Sequence, residues 1–149
     1  MFKHILVPID GSPLSQEALA RAISFAREAG ARITFFHAEQ RLPATFMDMG
    51  AIFDAQMPSR FHALEKSIAD EMLGAAESFA RTAGVECSSL VLASDEPYEA
   101  IIEAARRVGC DLIFMASHGH RGVGALLLGS ETQKVLTHTK IPVLVHRTP

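Results

Sequence analysis

The sequence predicts an α/β fold: a doubly wound, five-stranded parallel sheet with helices on both faces. Three observations lead there. Short apolar, β-branched runs alternate with amphipathic helical segments along nearly the whole chain. The runs ILVPI and LIFMA are apolar throughout rather than at every second residue, as strands covered on both faces are. The length of 149 residues suits one domain, 1–149, and a chain of that size buries on the order of 70% of its unfolded surface without disulfides or metal.

The elements follow in order. KHILVPI (3–9) and RITFFHA (32–38) read as buried strands, bounded by Asp-Gly-Ser-Pro and Ala-Gly-Ala. Between them, PLSQEALARAISFAREAG sets Leu14, Ala18, Ala22 and Phe25 at helical spacing. Ser12 is its N-cap, Pro13 its first residue and Gly30 its stop. A long helix is expected from about Arg60 to Thr82, then strand CSSLVLA (87–93), helix PYEAIIEAARRVG (97–109) and strand DLIFMA (111–116). A glycine-rich stretch, a short helix from Ser130 and strand PVLVH (142–146) complete the chain. Right-handed crossovers leave few ways to wind these units. Segment 42–61 breaks the alternation. Phe46, Met47, Met49, Phe53, Met57 and Phe61 make it too apolar for a free linker. It is expected to cover its own domain, with a partner-binding or ligand-gating surface as the alternative.

Composition excludes several classes. A formal charge of −3 with no clustered Lys and Arg gives no footprint for nucleic acid. No stretch approaches the ~18 apolar residues of a membrane span, and the amino-terminal apolar run is too short for a signal peptide, so a cytoplasmic protein with no membrane role is expected. Cys87 and Cys110 lack CxxC spacing and read as reduced thiols.

In an open parallel sheet, ligands sit outside the carboxyl ends of the strands, where the winding reverses. The loops meeting there are Asp10–Ser12, His37–Ala38 and Met115–Gly119. The stretch ASHGHRGVGALLLGS (116–130) holds four glycines and runs into a helix at Ser130, whose first N–H groups favour an anion such as a nucleotide phosphate. Gly119, Gly122 and Gly124 run GxxGxG, which is not the dinucleotide fingerprint, and Ser130 and Glu131 stand where a P-loop needs Lys then Ser or Thr. Without that lysine, chemistry on the β and γ phosphates lacks a main stabiliser. Binding is therefore favoured over turnover, with a slow phosphohydrolase or nucleotidyl-transferring protein, in which His118 or His120 assists a water, as the alternative. Arg121 could supply the missing positive charge, while Gly122 and Gly124 could serve loop flexibility alone.

Structural readings stand beside these. Ser130 with Gln133 forms an S-x-x-Q capping box. Asp10 could be a turn residue bonding its own backbone before Ser12. His118 and His120 lack the partners of a metal site and read as exposed or phosphate-adjacent. His4, His37 and His146 read as satisfied structural histidines. Pro142 suits an edge strand, and pairing with another copy would cover the apolar edge IPVLV.

Ala116, two residues, Gly119, nine residues, then Gly129-Ser130 resembles the ATP-binding signature of the universal stress protein family, GxxGx9G[ST]. ILVPIDGS, FFHA and PVLVHR resemble that family's opening, second and final strands, so the resemblance covers almost the whole chain. It implies a Rossmann-like sheet and a cytoplasmic stress-response protein that binds an adenine nucleotide, ATP or AMP, possible Mg²⁺ included, and acts through conformation or partners. By that resemblance Asp10 holds the ribose or adenine edge, Pro8 and Ala38 line the adenine slot, Met115 packs near the base, and Gly119, Gly129 and Ser130 hold the phosphates. Ala116, His118, Arg121, Gly122, Glu131 and Thr132 complete the candidate nucleotide-binding set. The resemblance also implies a homodimer through strand 141–146. Two departures stand out. Asp95 replaces a frequent glycine, and Ala116 replaces the motif's first glycine. That methyl is harmless at negative φ but obstructs any approach only glycine permits. A nucleotide-independent dimeric interaction protein is the corresponding alternative.

Overall fold

The computed structural model describes residues 1–41, 55–118 and 128–147. Five strands, β1 (His4–Pro8), β2 (Arg32–Glu39), β3 (Cys87–Ala93), β4 (Leu112–Ala116) and β5 (Val143–His146), form one sheet in the order β3-β2-β1-β4-β5. Every neighbouring pair is parallel, with Val7 opposite Phe35, Leu6 opposite Ile113 and Met115 opposite Val145. The winding reverses between β1 and β4.

Because strand side chains alternate, the sheet sorts its residues into two cores. Ile5, Val7, Ile33, Phe35, Leu112 and Phe114 pack beneath α1 (Pro13–Ala29) and α2 (Met57–Thr82). Leu6, Phe36, Ile113 and Met115 pack beneath α3 (Pro97–Val108) and α4 (Ser130–His138). The helices meet the sheet largely through small residues: Ala18, Ala22 and Ala26 on α1, Ala69, Ala76 and Ala80 on α2, Ala100, Ala104 and Ala105 on α3. The bulk of each core comes from the strands.

Local signals set the helix ends. Ser12 Oγ accepts the N–H of Ser15 at 3.1 Å, Pro13 opens α1, and Gly30 ends it at φ 66°. That left-handed turn favours glycine, and it brings Ala31 N–H to the carbonyl of Ala26. The second helix begins at Met57, three residues before the expected Arg60, with Pro58 in its first turn where a missing N–H costs nothing. Met57 and Phe61 therefore belong to α2, while Phe46, Met47, Met49 and Phe53 lie outside the described residues. β5 is an edge strand, and the carbonyl of Pro142, just before it, accepts the N–H of Ile113 at 2.9 Å.

The amino ends of the central strands are tied by polar groups. Asp111 accepts the backbone N–H groups of Lys3 and His4 at 2.9 and 3.0 Å. His4 Nε2 is hydrogen-bonded to Thr34 Oγ1 at 2.7 Å, and Thr34 Oγ1 to Ser88 Oγ at 3.1 Å. Both cysteines are free, and burial pushes the Cys110 thiol up to about 12. Among the described residues no helix is long and apolar enough to cross a membrane.

Candidate functional site

Two helix amino ends flank the reversal between β1 and β4, α1 on one face of the sheet and α4 on the other. The turn after β1 is built by its own side chains. Asp10 Oδ1 accepts the N–H of Ser12 at 2.9 Å across Gly11, whose φ of 81° lets the chain bend between them. The N–H of Asp10 donates to Ser15 Oγ at 3.2 Å. Asp10 thus makes the turn of its structural reading, and its carboxylate is held at the start of α1, where the helix dipole favours negative charge. Ser15 is a residue the sequence reading missed; its spacing of three from Ser12 was the available signal. On the neighbouring strand, Ile9 N–H donates to Phe36 O at 2.8 Å, and His37 Nδ1 donates to Ile9 O at 3.1 Å. Pro8 and Ala38 lie half-buried at the carboxyl ends of β1 and β2.

The other side is built where β4 meets α4. Gly129 N–H donates to Ser117 O at 2.7 Å, and a Cβ at Gly129 would lie 2.9 Å from both Cα and Cβ of His118. Backbone contact this close admits only glycine. Thr132 Oγ1 donates to Ala116 O at 3.0 Å, so the first turn of α4 is fastened to the end of β4 at two points. Ser117 N–H reaches across to His146 O at 2.9 Å, and Ser117 Oγ is hydrogen-bonded to His118 Nδ1 at 3.2 Å. Ser117 is buried, and the sequence reading assigned it no role.

The S-x-x-Q reading of Ser130 and Gln133 is corrected. Gly129 is the N-cap and no side chain caps α4; Ser130 is its first residue, and Gln133 instead donates its side-chain amide to Leu128 O at 2.9 Å. The tight Gly129–Ser117 junction fixes where the helix starts, one residue ahead of the capping register. The N–H groups of Ser130, Glu131 and Thr132 consequently have no acceptor inside the helix. Glu131, an acid in that first turn, turns its carboxylate to the N–H of Tyr98 at 2.8 Å and lies 3.5 Å from Lys134 Nζ. Its charge serves the neighbouring helix.

The remaining candidates divide. Met115 is 6% exposed and packs among Leu6, Phe36, Ile113 and Val135, a core position on the α3–α4 face. Ala116 packs against the opposite core, beneath α1 and α2, and no described non-glycine residue has positive φ. Its methyl therefore points away from the α4 face. His118 sits half-buried beside Gly129. Gly119, His120, Arg121, Gly122 and Gly124 lie outside the described residues. Of the histidines expected to be structural, His37 is hydrogen-bonded; His4 is hydrogen-bonded through Nε2 while its Nδ1 is buried without a hydrogen-bond partner, and His146 Nε2 is likewise buried without one, 3.9 Å from Glu17 Oε1. It ends the edge strand on the face α1 covers, beyond hydrogen-bond reach of that helix's carboxylate.

Comparison with known proteins fits this geometry. The model of the universal stress protein family matches residues 1–147. A universal stress protein of Thermus aquaticus is 36% identical over 147 residues, covering 99% of this chain and all of that one. The solved universal stress protein of Lactobacillus plantarum superposes with a TM-score of 0.79 at 21% identity, over 97% of each chain. A member from Arabidopsis thaliana, solved with AMP bound, superposes at 0.69 with 17% identity over 99% of this chain and 92% of its own. With a family match over nearly its full length and this fold, the chain belongs to the universal stress protein family.

Proposed function

We propose that the protein binds an adenine nucleotide at the carboxyl ends of β1 and β4 and acts in stress response through conformation or partners, in the cytoplasm. The observation that carries this reading is the Gly129–Ser117 junction, which presents an uncapped helix amino end at the point where the sheet's winding reverses. The residues present fit the ligand: the glycine closes a backbone approach that a Cβ would fill, and the acid of the first turn is directed elsewhere. Relatives of the fold solved with cAMP, AMP and dAMP support the adenine choice. In this reading the N–H groups of Ser130, Glu131 and Thr132 face the phosphates, Asp10 faces the ribose or base edge, and Pro8 and Ala38 border the ring. Met115 supports the slot from below. ATP, carrying Mg²⁺ on its phosphates, and AMP are the ligands to test. A homodimer through β5 completes the reading, because pairing with a second copy covers an apolar edge strand.

At millimolar nucleotide, micromolar affinity stabilises the fold by ~4 kcal/mol. Thermal denaturation with AMP, ATP and ATP·Mg²⁺ tests this, alongside chromatographic identification of whatever the purified protein releases on unfolding. An unchanged midpoint with all three ligands, and no adenine compound released, overturns it. A monomer in sedimentation equilibrium removes the dimer.

A further inference from the structure

At the carboxyl end of β1, one peptide is gripped from both sides. Just past the strand, the N–H of Ile9 still donates to Phe36 O at 2.8 Å, as a rung of the sheet would. The carbonyl of Ile9 then accepts His37 Nδ1–H from β2 at 3.1 Å, and the N–H of the same peptide, on Asp10, donates to Ser15 Oγ of α1 at 3.2 Å. Both polar ends of the Ile9–Asp10 peptide are therefore held by side chains, one from a strand and one from a helix. The surroundings give it little room to swing. Ile9 and Ser15 are buried, and Asp10 Oδ1 closes the turn on the N–H of Ser12 at 2.9 Å.

A carbonyl can only accept, so the neutral ring of His37 carries its proton on Nδ1. Alternation along β2 sends His37 and Ala38 to opposite faces of the sheet. His37 shares the face of Phe35, which packs beneath α1 and α2, while Ala38 borders the proposed ring slot. An apolar side chain at 37 would fill the same space yet leave the Ile9 carbonyl without this donor.

We propose that His37 is a positioning residue of the nucleotide crevice: by holding the Ile9 carbonyl it fixes the peptide that carries Asp10, so that the Asp10 carboxylate is already oriented when the ribose or base edge arrives. This role rests on the nucleotide reading above and names what sets that site's acid. A group ordered before binding costs the complex less than one ordered by the ligand. Ser15 shares the task from the other end of the peptide.

Two substitutions at His37 separate positioning from contact. His37→Leu removes the donor, whereas His37→Asn returns an N–H near the place of Nδ1 without the Nε2 corner of the ring. In amide NMR of the ligand-free chains, the Asp10 and Ser12 signals should move in His37→Leu and stay near their parent positions in His37→Asn. In calorimetric titration, AMP affinity should fall roughly three- to tenfold in His37→Leu, the worth of one hydrogen bond, and recover in His37→Asn. Ser15→Ala should weaken AMP similarly, and the His37→Leu/Ser15→Ala double variant should lose less than the product of the two, because either loss already frees the same peptide. Parent-like AMP affinity in a folded His37→Leu chain, or in Ser15→Ala, overturns the positioning role and leaves the nucleotide reading intact. Equal loss in His37→Leu and a folded His37→Asn also overturns it, since the ring's other nitrogen would then be what matters. A parent chain that binds neither AMP nor ATP overturns the nucleotide reading itself, and the role of His37 with it.

Discussion

The carboxylate of Glu131, in the first turn of α4, accepts the backbone N–H of Tyr98 at the start of α3 at 2.8 Å. One acidic side chain therefore caps a helix to which it does not belong, and it joins the amino end proposed to hold phosphate to the neighbouring helix. Glu96, the N-cap of α3, makes no side-chain cap bond, so Glu131 takes over that task.

Removing this bridge tests a cap against a ligand contact. Glu131→Ala should cost about 1 kcal/mol, as loss of a helix cap does, lowering the thermal midpoint by about 2–4 °C. Nucleotide affinity should hold or rise, because a negative charge leaves the phosphate end. A large loss of affinity in calorimetric titration would instead make Glu131 a direct ligand group.

Gly129→Ala should do the opposite. Its Cβ would meet His118 backbone at 2.9 Å, so β4 and α4 must separate at their junction. Overpacking of this kind costs about 1–3 kcal/mol, and AMP-dependent stabilisation should fall sharply even at temperatures where the variant is folded. Retention of full stabilisation by AMP would remove the junction from the site.

Ala116→Gly distinguishes the two accounts of the departure from the family motif. Because the methyl packs against the core on the α1 face of the sheet, restoring glycine should cost roughly 0.5–1 kcal/mol through backbone entropy and leave nucleotide affinity unchanged. A rise in affinity would mean that the methyl obstructs the ligand after all.

The amino end of the sheet carries a pH dependence with a fixed sign. Burial works against ionisation of Asp111, but the N–H groups of Lys3 and His4 outweigh it and hold its pKa below the ordinary value. Its stabilisation is present above about pH 4, the unfolded carboxylate range, and is lost as pH falls through the lower folded value. Asp111→Ala should therefore weaken the fold near neutrality, with the difference from the parent shrinking in acid. For His4, burial first and Arg32 second lower the pKa below 6.5. The unfolded chain then binds the extra proton, and stability should drop as pH falls below about 6.5. Denaturant titrations across that range measure both slopes.

Neither thiol should react quickly in the native protein. Burial raises both, Cys110 to about 12, and the thiolate is the reactive form. Labelling at mildly alkaline pH should be slow at Cys110 until denaturant is added, and faster at half-buried Cys87. Mass spectrometry of time points reads both.

Much of the fold was legible because its signals are local. Ser12, Pro13 and Gly30 bound α1 through capping and φ preferences that need no tertiary contact, and the unbroken apolar runs of β1 and β4 marked strands covered on both faces. The helix expected from about Arg60 starts at Met57, with Pro58 in its first turn, because the segment 42–61 was read as one apolar stretch and its last residues belong to the helix. Ser130 and Gln133 matched a capping pattern that a neighbouring strand displaced by one residue.

The sequence by itself determined the order of elements, the parallel sheet and the family signature, since each follows from periodicity or from spacing along the chain. Only the tertiary structure decided that Met115 belongs to a core, that the Ala116 methyl lies on the far face, and that Glu131 caps another helix. Those facts depend on which side of a strand or helix a residue presents to elements distant in sequence, and spacing alone carries no record of that neighbour.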